Sequence, residues 1–103
     1  MNHGLPATAV DQIAEVLGHF PEVEKAILYG SRAKGNWRAG SDIDLTLCGN
    51  ALDHSILTRI ENELDDLLLP YEIDLSAHQS LMHPALLDHI ARVGIVLYAP
   101  AHV

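Results

Sequence analysis

Cysteine is almost absent from this sequence. Cys48 stands alone, so no disulfide can close within the chain and no thiolate metal cluster can form from it. Cations are also scarce, with six Lys and Arg against 14 Asp and Glu and a formal charge of -8. So acidic a surface repels a phosphate backbone, which argues against stable binding of nucleic acid. No apolar run is long enough to span a bilayer, and Met1 to Val10 lacks a basic stretch followed by an apolar one. No membrane association and a soluble, cytoplasmic protein are the expectation.

What is present suffices for a fold. Hydrophobic residues make up 49% of the 103 positions, enough apolar surface for one compact core, and residues 1–103 read as a single domain. A core this small leaves apolar area at the surface, where a partner chain would find it. The few cations are unevenly spread. Three of the six, Arg32, Lys34 and Arg38, follow Gly30-Ser31, so positive charge gathers where a polyphosphate would sit.

Periodicity divides the chain into alternating elements. Thr8 and Asp11 resemble a capping box, and Val10, Ile13, Ala14 and Leu17 recur at helical spacing until Gly18 to Pro21. Glu24 to Tyr29 reads as a buried strand, Gly30 to Ser41 as a turn-rich segment, and Asp42 to Cys48 as a strand with Ile43, Leu45 and Leu47 on one face. Asp53 caps a helix carrying Ile56, Ile60, Leu64 and Leu67, which has ended by Pro70. Tyr71 to Ser76 alternates as a third strand, Pro84 to Val93 is a last helix, and Ile95 to Tyr98 a short strand after Gly94. The order α, β, β, α, β, α, β predicts an α+β domain, a small sheet with helices packed mainly on one face.

The chemistry lies on the strands. Side chains two apart point the same way, so Asp42 and Asp44 share a face while Ile43 and Leu45 go to the core. Two adjacent carboxylates repel unless a cation sits between them, and magnesium, an ion of oxygen ligands that keeps waters and takes phosphates, suits the pair best. Manganese is the alternative at such a site. Asp74, between Ile73 and Leu75, would join them from a neighbouring strand. Three converging carboxylates fit a two-metal phosphoryl-transfer site, with Asp42 and Asp44 bridging both ions and Asp74 at the acceptor hydroxyl, holding an ion or taking a proton. Gly30-Ser31 comes directly off a strand, where glycine permits a tight turn and a serine hydroxyl with free amides can grip phosphate, helped by Arg32 or Lys34. A Walker A loop is excluded, because no Gly-Lys-Ser or Gly-Lys-Thr is present, and the glycine spacing excludes a Rossmann fingerprint.

Gly30-Ser31, ten intervening residues and then Asp42-Ile43-Asp44 resemble the signature of the polymerase-beta-like nucleotidyltransferases. The string GSRAKGNWRAGSDIDL is similar to the minimal nucleotidyltransferase (MNT) branch. The resemblance implies a polymerase-beta palm-like fold in which Gly30 and Ser31 contact the triphosphate of ATP, Asp42 and Asp44 bind two magnesium ions, and Asp74 is the third acid. Lys34 stands where relatives commonly have arginine; it keeps the charge and loses the bidentate fork. The resemblance further implies an antitoxin that transfers AMP to a hydroxyl, a tyrosine by analogy, of a HEPN-domain toxin, as in a type VII-like pair forming a hetero-oligomer.

Blander readings stand beside these. Asp42 and Asp44 are also what a solvated edge strand carries, and Arg32, Lys34 and Arg38 what a soluble loop carries. The seven histidines show no His-x-x-x-His or mixed His and Cys spacing and read as surface or structural, and Cys48 as a small buried hydrophobe. Trp37 either stacks on a base or packs the loop down. Two other functions fit the motif: an antitoxin that neutralises by occlusion alone, and a small-molecule nucleotidyltransferase using a separate acceptor-binding chain.

Overall fold

Helix α1, Ala7–Gly18, buries Ala9, Ile13, Val16 and Leu17, a stripe at spacings of three and four. The computed structural model describes residues 4–38 and 40–100. α1 opens differently from the capping box expected at Thr8. The N-cap is Pro6 with φ -63° and no side-chain cap bond, and its carbonyl accepts from the amides of Ala9 and Val10 at 3.0 and 3.2 Å. Thr8 lies inside the first turn, because proline, with φ fixed and no N–H to satisfy, starts the helix before it.

Four strands, β1 (Lys25–Tyr29), β2 (Ile43–Cys48), β3 (Ile73–Ala77) and β4 (Ile95–Tyr98), form one mixed sheet in the order β3-β2-β1-β4. β1 runs antiparallel to β2 and β4, whereas β2 and β3 are parallel. A parallel pair needs a crossover. A helix, His54–Asp65, supplies it, and Asp53 caps that helix as expected, accepting from the Ile56 amide at 2.8 Å. The chain leaves through Leu68 at φ 54°, with Leu67 and Leu69 still packed on the core.

Between β1 and β2, the segment read as turns contains a short helix, Ser31–Lys34. One turn is too short to show a hydrophobic period. In chain order the helices are therefore α1, α2 (Ser31–Lys34), α3 (His54–Asp65) and α4 (Pro84–Val93).

Register decides which residues face the core. Leu28 pairs with Leu45 and Leu45 with Leu75, so Ala26, Leu28, Ile43, Leu45 and Leu47 share one face, fully buried with the stripes of α1 and α3. The alternate positions, Tyr29 with Asp44 and Asp74, then Ile27 with Thr46 and Ser76, form the opposite face. Helices thus pack mainly on one face, as expected. α4 is the exception: its Ile90 is buried outside the main cluster, and Leu87 and Ile90 line a groove with Ile27 and Val96 of the opposite face. No helix among the described residues is long and apolar enough to cross a membrane.

Candidate active site

Gly30 directly follows β1 at φ 78°, a conformation that L side chains rarely adopt. The register puts Tyr29 opposite Asp44, and the Gly30 backbone lies so close to that aspartate that a Cβ would run into its carboxylate. Glycine is required twice, by dihedral and by contact. Its carbonyl accepts from the Lys34 amide at 3.0 Å, closing α2. Its amide donates to His89 Nε2 of α4 at 3.0 Å. A nitrogen that accepts carries no proton, so this geometry requires the imidazole tautomer protonated at Nδ1.

Asp44 and Asp74 are direct neighbours across the parallel pair, and Asp42 immediately precedes β2. Asp42 and Asp74 are exposed, whereas Asp44 is half-buried. Burial first, then the charge of Asp74, then that of Asp42 hold the Asp44 carboxyl above the usual range. Tyr29 belongs to the same cluster. Burial pushes its phenol up, a hydrogen bond with Ser76 works against that, and Asp44 and Asp74 add to the rise. Behind it, Ser76 Oγ donates to Thr46 Oγ1 at 3.1 Å.

The three acids share a face and a field without closing on one point. Among the described residues, no group of three or more His, Cys, Asp or Glu is gathered tightly enough to hold a metal ion. The donor set still fits a hard divalent cation. Its donors are carboxylate oxygens only, and the central one is disfavoured in its charged form by its two neighbours, a penalty that a cation reverses.

The cations separate from one another. Lys34 is exposed at the end of α2, and Arg38 is exposed with its amide donating to Ser41 Oγ at 2.8 Å. Arg32, read from sequence as a phosphate contact, is 1% exposed. Its Nε donates to the Ser41 carbonyl at 3.0 Å, and its guanidinium lies 4.9 Å from the centre of the Tyr71 ring and 5.5 Å from that of Trp37. Two aromatic faces and a charge-assisted bond offset the cost of burying the ion. Arg32 thereby ties α2 to the residue before Asp42. Trp37 packs the loop down, resting on Arg32 and against Gly4.

His89 is the residue that sequence reasoning missed. It lies 59 positions from Gly30, on a helix whose own pattern shows only an apolar stripe, so nothing local marked it. The remaining histidines with described bonds are structural, His83 accepting from the Leu86 amide at 3.3 Å and His19 pairing with Glu63 at 3.1 Å. Cys48 is half-buried rather than core, with burial pushing its thiol up.

A family model described as polymerase beta, nucleotidyltransferase, matches residues 11–102. The chain belongs to the polymerase beta nucleotidyltransferase family. Solved structures share that fold. One is a chain of a toxin-antitoxin complex with AMP-PNP, at 22% identity and TM-score 0.71, covering 88% of this chain and 73% of that one. A second comes from a complex of tri-AMPylated Shewanella oneidensis HEPN toxin with MNT antitoxin, at 19% identity and TM-score 0.65 over 90% and 71% of the two chains. A third, a nucleotidyltransferase assigned in Sulfolobus solfataricus, has 16% identity and TM-score 0.52 over 93% and 91%. No curated protein matches this nucleotidyltransferase by sequence. Within the family fold, Gly30, Asp44 and Asp74 lie at one end of the sheet, with Asp42 just before β2.

Proposed function

We propose that this chain, acting as a single minimal domain over residues 1–103, transfers AMP from ATP to a hydroxyl of a HEPN-domain toxin and so serves as the antitoxin of a type VII-like pair. The observation that carries the reading is the packing of the Gly30 turn directly on Asp44, itself in register with Asp74. A nucleotide held at that turn has its phosphates beside the acids. The neighbouring toxin complexes, one with AMP-PNP and one with a tri-AMPylated toxin, support the choice of donor and acceptor.

Ser31, half-buried at the turn, offers its hydroxyl to the triphosphate, and exposed Lys34 adds charge without a bidentate fork. Arg32 acts from the interior, holding the loop so that Ser31 and Asp42 keep their separation. Asp42, Asp44 and Asp74 would hold magnesium, two ions by the precedent of such sites with manganese as substitute, and the metal would neutralise phosphate charge. In the transfer, the acceptor oxygen, a tyrosine's in this reading, forms a bond to the α-phosphorus, and the bond from that phosphorus to the bridging oxygen breaks, releasing pyrophosphate. Asp74, exposed and on the open edge strand, has the access needed to take the hydroxyl proton. Both proteins would act in the cytoplasm as a hetero-oligomer.

A second reading, neutralisation by occlusion, is favoured by the charge of -8 and by Leu68 and Met82, 87% and 89% exposed. ATP labelled at its α-phosphate separates the two. Label passing to the toxin with wild type and not with Asp42→Asn supports transfer; full neutralisation by Asp42→Asn supports occlusion.

A further inference from the structure

His89 touches the nucleotide turn without belonging to it. Its Nε2 accepts the Gly30 amide at 3.0 Å, and the Tyr29 ring meets its own at 6.3 Å and 80°, edge to face. The helix that presents it is anchored: Ile90 is buried, the Gly94 amide donates to the Ile90 carbonyl at 2.8 Å, and Gly94 is pressed against Ile27. The Asp44 carboxylate also packs against Gly30. The turn thus meets an imidazole acceptor on α4 and a carboxylate on β2. Glycine has more backbone freedom than any other residue, so without the imidazole the Gly30 amide loses its partner and the conformation that places Ser31 loses one of its restraints.

We propose that His89 is a positioning residue, fixing the Gly30 amide so that Ser31 is preset for the nucleotide. This rests on the reading of the site as a nucleotide site, so the test has one arm independent of it. His89→Leu keeps the bulk and removes the acceptor, whereas His89→Gln returns an amide oxygen at about the reach of Nε2. Two quantities are read in the full chain: exchange of the Gly30 amide proton by NMR, and affinity for ATP with magnesium by calorimetry.

Leu is expected to speed Gly30 exchange and weaken ATP about three- to tenfold, the worth of one neutral hydrogen bond. Gln is expected to restore both to within about twofold of wild type, a rescue that loss of packing would not give. The proposal is overturned if Leu leaves Gly30 exchange unchanged, or if Gln is as impaired as Leu. Should Leu fail to fold, wild type against Gln still decides, since a faster Gly30 exchange in Gln overturns the acceptor role. Wild type that binds no ATP sinks the nucleotide reading, and Gly30 exchange then decides separately whether His89 holds the turn.

Discussion

Substituting Gly30 by alanine should destabilise the fold at the turn that follows β1. Two terms act on it. An L residue held at φ 78° and ψ -156°, a region open essentially to glycine alone, costs about 1–3 kcal/mol in backbone strain. The new Cβ also runs into the Asp44 carboxylate, and forcing such an overlap costs roughly 1–3 kcal/mol more. The sum, about 2–6 kcal/mol, is a large share of the stability of a domain this size. The terms can be measured apart. Asp44→Ala removes the obstructing carboxylate and leaves the dihedral untouched, so a double-mutant cycle of Gly30→Ala with Asp44→Ala should show a coupling of about 1–3 kcal/mol. Urea unfolding followed by circular dichroism in metal-free buffer gives all four values. A Gly30→Ala variant within about 0.5 kcal/mol of wild type, or a cycle without coupling, would refute the packing described for the turn.

Three further outcomes follow. Folding holds the Asp44 carboxyl above its ordinary value, so its ionised form opposes folding: that opposition is absent below the ordinary value and grows as pH rises through the raised one. Asp44→Asn should therefore melt higher than wild type at neutral pH without metal, by roughly 4 °C for about 1 kcal/mol of burial cost and screened repulsion together, and calorimetry should see the gap close on acidification. Arg32→Ala should destabilise by about 3 kcal/mol by emptying the space beside Tyr71 and Trp37, with faster proteolysis between Gly30 and Ser41; an unchanged cleavage rate would contradict its role as a clasp. Asp74→Asn should lower the rate of AMP transfer about 10²–10⁴-fold while ATP still binds, and a parallel loss of ATP affinity in calorimetry would move Asp74 from proton acceptor to nucleotide binding.

Strand alternation made the acids legible in the sequence. Asp42, Asp44 and Asp74 each alternate with aliphatic residues, so their common face followed from period two alone, and Gly30 stood out as the residue directly after a strand. Arg32 was misplaced because a charged residue in a polar loop reads as surface; its burial needs Tyr71 and Trp37 brought together by the fold. α2 has one turn and no period to detect. The stripe of α4 showed that the helix buries a face and not which side of the sheet receives it, and with that side unknown His89 had no partner. At the N-terminus a side-chain capping pattern at Thr8 was outcompeted by the proline two residues before it.

The measurement that bears most directly on the proposed chemistry is the intact mass of the HEPN-domain toxin after incubation with this chain, ATP and magnesium, beside the same mixture with Asp42→Asn. The expected result is a toxin heavier by whole AMP units with wild type and unchanged with the variant. A toxin of unaltered mass that is nevertheless bound and silenced by both proteins would contradict transfer and leave occlusion as the function.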